Sequence, residues 1–172
     1  TPVKNSLPYL HACSASPFAL VVGTLPRHTN THDLVQRVQD QVKAQSERSL
    51  GLLKRLGHLA MMPPVLEDEA AVLGERANEA HTLLQTLGLS TAALDQSLQT
   101  GLDAGAHGGK LSGAGGGGAF VLFCENRDVA HTVGAAIDQR FEKAAPSDRP
   151  QIMVFQWNGH TLSLCPDKEL TS

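Results

Sequence analysis

The chain has 172 residues, 41% hydrophobic and 18% charged, with a formal net charge of −3. That length predicts one domain with a proper core, and 14 Lys and Arg against 17 Asp and Glu leave no basic excess to hold a nucleic-acid backbone. No stretch approaches the ~20 apolar residues that span a bilayer, and the three cysteines (Cys13, Cys124, Cys165) show neither a disulfide framework nor a CxxC metal knuckle.

Residues 1–17 carry no long apolar run and read as a lead-in without a signal peptide. FALVVG, Phe18–Gly23, is an apolar, β-prone run closed by glycine and predicts a buried strand. A polar turn follows, in which Asn30 or Thr31 can cap a helix and Asp33 suits its first turn. Leu34, Val35, Val38, Val42, Leu53 and Leu56 recur at helical spacing, which predicts one long, partly buried helix over about 32–56. Pro63 and Pro64 break it. A second helix is expected over about 65–87, with Gly88 at the position that favours glycine after a helix. Ser90 can cap a third, shorter helix carrying Leu94 and Leu98.

The composition then shifts: residues 101–118 hold nine of the 16 glycines. AFVLFC, Ala119–Cys124, predicts a strand, and Asn126 a cap for a helix over 127–141. QIMVFQW and residues 161–165 predict two last strands, turned at Gly159. The order is β, three helices, a glycine loop, then β-α-β-β. The simplest packing is α+β: an antiparallel sheet with a helical layer. No strand precedes a GxGxxG that opens a helix, so this is no dinucleotide-binding unit.

Lys110-Leu111-Ser112-Gly113-Ala114-Gly115-Gly116-Gly117-Gly118 carries the chemistry. Glycines admit positive φ and leave no Cβ in the way, so backbone N–H groups can converge on one anion. Ser112 adds a hydroxyl and Lys110 a positive charge. Two plainer readings stand beside this one: a flexible linker, or close backbone packing without a ligand. It is not a P-loop, because it lacks the closing Gly-Lys-Ser/Thr and leads into a strand.

KLSGAGGGGAFVLF closely resembles the third conserved motif of the GHMP kinases, and its form is most similar to the mevalonate kinase branch. FALVVGTLPRHTNTHDLVQRV resembles the strand–turn–helix of the C-terminal half of that branch. Pro26 and Arg27 match its Pro-Arg-Asn-Thr turn, and Asn30 and Thr31 complete it after two inserted residues. LLQTLGLSTAALDQSL from Leu83 resembles the Leu-Gly-Val-Ser…Leu-Asp segment before the glycine motif. The resemblance covers about residues 18–157. It implies a GHMP kinase C-terminal domain, a ferredoxin-like variant, over 18–172, and ATP-dependent phosphorylation of mevalonate to 5-phosphomevalonate. The family's Pro-x-x-x-Gly-Leu-Ser-Ser-Ser loop is missing, so the resemblance assigns the Mg²⁺ ligands and the catalytic residues to an N-terminal lobe outside this chain.

On that basis Lys110, Ser112, Gly113, Ala114, Gly115 and Gly116 are the nucleotide-side candidates, by direct contact or by support, and Thr31 is the acceptor-side candidate. For Lys110 the alternative is an exposed turn lysine, and for Thr31 a plain helix cap. Arg27 reads as a solvated turn arginine, His81 as a surface or edge histidine, Asp95 as a helix-pairing residue, and Cys124 as a small core residue. The expected small molecules are ATP, Mg²⁺ and mevalonate. The expected partners are the N-terminal lobe and, through a face that lobe would cover, a second copy. Nucleic acid and membrane are not expected. A reducing compartment such as the cytoplasm follows from the cysteines, with a peroxisome-like organelle also compatible. The other readings are a phosphomevalonate or homoserine kinase, and a non-catalytic ferredoxin-like regulatory module.

Overall fold

A computed structural model describes residues 16–44, 46–62 and 69–166. Most of the lead-in, the proline break at 63–64 and the expected first turn at 65–68 lie outside them. Five strands form one antiparallel sheet in the order β2-β3-β1-β4-β5. The central strand β1 (Phe18–Leu25) pairs with β3 (Gly118–Cys124) on one side and β4 (Gln151–Trp157) on the other. β2 (Gly108–Leu111) and β5 (Leu162–Cys165) form the two edges. Alternation does the sorting. Val21, Leu122 and Val154 lie side by side across three strands and are all buried, while their neighbours Leu20 and Val22 are half-exposed.

Two helices cover the buried face. α4 (Ala92–Asp103) contributes Leu94 and Leu98, and α5 (Arg127–Arg140) contributes Ala130, Val133 and Ile137, to one core with Ala19, Val21, Phe120 and Leu122. Fully burying each large side chain stabilises the fold by about 1.5–3 kcal/mol. Both helices start on a side-chain cap. Asn126 accepts the Val129 N–H at 3.0 Å. The cap of α4 is Thr91, not Ser90, and it accepts the Leu94 N–H at 3.3 Å. Ser90 instead turns its hydroxyl to the Asp95 carboxylate.

The single long helix expected over 32–56 is two helices, α1 (Thr31–Ala44) and α2 (Ser46–Met61). In a continuous helix, residues eight apart are separated by about 12 Å. Yet the Ser49 hydroxyl lies 3.4 Å from the Gln41 carbonyl, so the chain turns sharply between them. α2 reaches α3 (Glu69–Thr86) through the forked pair of Arg55 with Glu79. α3 lies along the β2 edge on the side opposite α4. A Cβ on Gly108 would fall 2.0 Å from the Gly74 carbonyl oxygen of α3, and one on the next residue, Gly109, 2.9 Å from Leu98 of α4.

β2 is the strand that periodicity misses. Gly-Gly-Lys-Leu has little intrinsic strand preference, and its outward amides need acceptors. α3 supplies them. Asn78 Oδ1 accepts from Gly109 N–H at 2.9 Å, and His81 Nδ1 accepts from Leu111 N–H at 3.4 Å. The Asn78 amide returns a hydrogen bond to the His107 carbonyl at 3.3 Å. The helix thus closes an edge that would otherwise offer itself to another strand.

Candidate functional site

The loop between β2 and β3 is built on left-handed backbone. Gly113, Gly115, Gly116, Gly117 and Gly118 all have positive φ, between 68° and 107°. Two of them are also packed without room for a side chain. A Cβ on Gly115 would sit 2.0 Å from the Leu89 carbonyl oxygen, and one on Gly117 2.2 Å from that of Pro26. Gly116 is pinned on both sides: its N–H donates to Leu89 O at 2.9 Å, and its carbonyl accepts from His28 N–H at 3.4 Å. The Ser112 N–H closes the base of the loop on Ala119 O at 2.8 Å. Gly115–Gly117 are buried, and Ser112 and Gly113 are exposed, with Ala114 between the two. The glycines therefore do two jobs. The second half of the loop is seated against Leu89 and the Pro26–Thr29 turn, which leaves the first half as the accessible part.

That turn brings the acceptor-side candidate to the loop. Arg27 is exposed, yet its guanidinium lies against the glycines: a Cβ on Gly118 would be 2.9 Å from Nη2 and one on Gly113 3.7 Å. Arg27 Nη1 also donates to Thr31 Oγ1 at 3.4 Å. The cap of α1 falls to Asn30, whose Oδ1 accepts the Asp33 N–H at 2.8 Å. The Thr31 hydroxyl is therefore not occupied with capping. It faces the Arg27 cation at the start of a helix, where the backbone dipole also favours an anion. Arg27, read from the sequence as a solvated turn residue, is the group that links Thr31 to the glycine loop.

Lys110 is a strand residue rather than part of the loop. It is half-buried, its ammonium donates to the neighbouring Leu111 carbonyl at 2.9 Å, and burial holds its pKa below the usual lysine range. Behind the loop lies a polar cluster that the sequence reading kept as separate residues. His81 of α3, 8% exposed, has Nε2 3.0 Å from Asp95 Oδ1 of α4, and Ser90 donates to the same oxygen. Asp95 thus pairs the two helices as expected. The α3–α4 turn is also held from α1: Arg37 donates to Gly88 O at 2.9 Å and Gln41 to Leu87 O at 3.3 Å. Gly88, Ser90 and the Leu-Gly-Leu-Ser resemblance all pointed to this turn, but nothing in the sequence marked the Leu89 carbonyl or Arg37. Among the described residues, no three His, Cys, Asp or Glu side chains are grouped to hold a metal ion. No helix among them is long and apolar enough to cross a membrane.

The fold and this loop define an α+β lobe with a partly exposed, positive-φ glycine turn at one end of its sheet. Residues 43–143 match the family described as GHMP kinases C terminal, and the chain belongs to that family. It is 32% identical over 126 residues to mevalonate kinase of Pyrococcus horikoshii, covering 68% of this chain and 38% of that protein. It is 30% identical over 105 residues to mevalonate kinase of Methanothermobacter thermautotrophicus, covering 61% and 31%. The chain thus spans well under half the length of these curated relatives. The fold is also that of L. major mevalonate kinase, solved in complex with R-mevalonate. The TM-score is 0.72 at 22% identity, over 84% of this chain and 44% of that one. Lactococcus lactis galactokinase, solved with galactose, shares it at TM-score 0.56 and 18% identity, over 86% and 47%.

Proposed function

We propose that this chain is the C-terminal half of an ATP-dependent mevalonate kinase, which transfers the γ-phosphoryl group of ATP to the primary hydroxyl of mevalonate and releases ADP. The observation that carries this reading is Arg27. Its guanidinium spans from Thr31, the acceptor-side residue, to Gly113 and Gly118 of the nucleotide-side loop. A fixed cation between the two reactants is what phosphoryl transfer asks of a protein, because that reaction depends mostly on positioning and charge neutralisation. The name shared by the relatives favours mevalonate as the acceptor.

In this reading Ser112, Gly113 and Ala114 face the phosphates directly, while Gly115 and Gly116 support the loop from below. Lys110, whose ammonium is bound to Leu111 O, adds positive potential from the strand. Magnesium, when bound, would supply charge neutralisation for the transferred phosphoryl group. The family resemblance assigns its protein ligands, and the group that orients the attacking hydroxyl, to the N-terminal lobe.

The protein containing both lobes should show a higher kcat/KM for mevalonate than for phosphomevalonate or homoserine, and the reverse order would overturn the assignment. Thr31→Ala in the same protein should raise KM for mevalonate and leave the melting temperature unchanged, because Asn30 keeps the helix cap. The 172-residue chain alone, given ATP, Mg²⁺ and mevalonate, should not turn over. Turnover at ~1–100 s⁻¹, the range usual for kinases, would show the catalytic machinery to be misplaced.

A further inference from the structure

Two of the contacts that hold the glycine loop lead to one group of side chains. Its start is held where Leu111 N–H, immediately before Ser112, donates to His81 Nδ1 at 3.4 Å. Its middle is held where Gly116 N–H donates to Leu89 O at 2.9 Å. Leu89 is bonded to Ser90, whose hydroxyl donates to Asp95 Oδ1, and the same oxygen lies 3.0 Å from His81 Nε2. We infer that His81, Asp95 and Ser90 form a positioning node for the glycine loop, and that a single proton taken up on His81 Nδ1 loosens the start of the loop.

The tautomer follows from the partners. Leu111 can only donate and an ionised Asp95 can only accept, so the neutral ring carries its hydrogen on Nε2 and its lone pair on Nδ1. Protonating Nδ1 would set an N–H against the Leu111 N–H. The amide, in a buried edge strand, would lose its acceptor. Two charged side chains bear on the imidazole: Asp95 from α4, which favours the proton, and Lys110 from β2, which opposes it. Burial is the largest influence and also opposes the proton, so the His81 pKa lies below its ordinary value. In the folded chain the node is locked at neutral pH, and it opens only on the acid side of the usual histidine range.

This inference deepens the proposed reading, since it concerns the loop assigned to the phosphates, but its test needs no kinase activity. In the ¹⁵N-labelled 172-residue chain, the His81 ring nitrogens and the amides of Leu111, Ser112 and Gly116 are followed from pH 8 to pH 4.5. His28→Gln serves as the background: it removes a second imidazole at the residue whose backbone N–H is bonded to the Gly116 carbonyl, and keeps that bond. The neutral ring should give the Nε2–H pattern, and the three amides should move with the His81 midpoint. Asp95→Asn, which removes the charge but keeps an oxygen acceptor, should lower the His81 midpoint by about one pH unit and carry the amide midpoints with it. An Nδ1–H tautomer, or loop amides whose midpoint stays put when that of His81 moves, overturns the inference. If Asp95→Asn does not fold, Lys110→Met makes the same comparison with the opposite sign.

Discussion

The two edges of the sheet are treated in opposite ways. At the β2 edge, glycines let α3 approach to backbone contact, and its side chains Asn78 and His81 take the outward amides of Gly109 and Leu111. At the β5 edge, Leu162 and Leu164 are 51% and 57% exposed, and Met153 on the adjoining strand is 41% exposed. The sealed edge is the one that carries the candidate site. A loop with five positive φ values has little order of its own and takes its shape from what it is seated on. The glycines from 108 to 118 therefore do not form one uniform flexible run: those in β2 admit a helix, and those in the loop admit the Leu89 and Pro26 carbonyls.

The largest effect is expected for Gly108→Val. Its Cβ would lie 2.0 Å from the Gly74 carbonyl oxygen, and a helix backbone cannot give way as a side chain can. The expected loss is at least ~3 kcal/mol, the upper end of overpacking costs. Urea unfolding measures it, and an unchanged midpoint would mean that α3 is not seated on β2. Gly115→Val meets the Leu89 carbonyl in the same way and should damage folding before it damages turnover. Gly116 differs, because the atoms nearest a Cβ there belong to the side chains of Leu34 and Thr29, each at 3.0 Å.

Next in size is Asn78→Ala, which takes the acceptor from Gly109 N–H. An unpaired amide at a closed edge costs about 1–3 kcal/mol. Hydrogen exchange at Gly109 should quicken alongside the fall in stability. If it does not, the edge is held by shape alone. Arg37→Ala should cost less, about 0.3–1 kcal/mol, because it removes an exposed cation from the carbonyl end of α3. The unfolding midpoint reads the cost, and the Gly116 amide shift reads whether the α3–α4 turn has moved under the loop.

How much of this was legible in the sequence depended on whether the signal was local. Strands β1, β3 and β4 announced themselves through β-branched and aromatic runs, and α5 through the four-residue spacing of Val129, Val133, Ile137 and Phe141. The glycine motif carried the family on its own. β2 did not show, because the strand exists through acceptors on α3 about 30 residues earlier in the chain. The break between α1 and α2 did not show either, since Ala44-Gln45-Ser46 contains no glycine or proline. At the site, Thr31 and the loop were visible as types in a pattern. The link through Arg27 was not, because an arginine in a turn looks the same in sequence whether it faces water or folds back on a neighbour.

The smallest expected effect belongs to the open edge. Leu164 lies opposite Phe155 on β4, on the face of the sheet away from the α4–α5 core, and is more than half exposed. Its side chain has already kept most of its contact with water, so Leu164→Thr, which puts a β-branched strand former in place of leucine, should change stability by no more than ~0.5 kcal/mol. A second copy meeting this face would be affected differently. Met153, Leu162 and Leu164 together place exposed apolar surface on adjoining strands, and contiguous surface of that kind favours association. The wild-type chain should therefore show concentration-dependent self-association in sedimentation, and Leu164→Thr should weaken it while the urea midpoint stays put. A drop in stability above ~1.5 kcal/mol would mean that Leu164 is packed within the fold, and the contrast between a sealed and an open edge would fail. Unchanged association in a stable variant would move the contact between copies to another face.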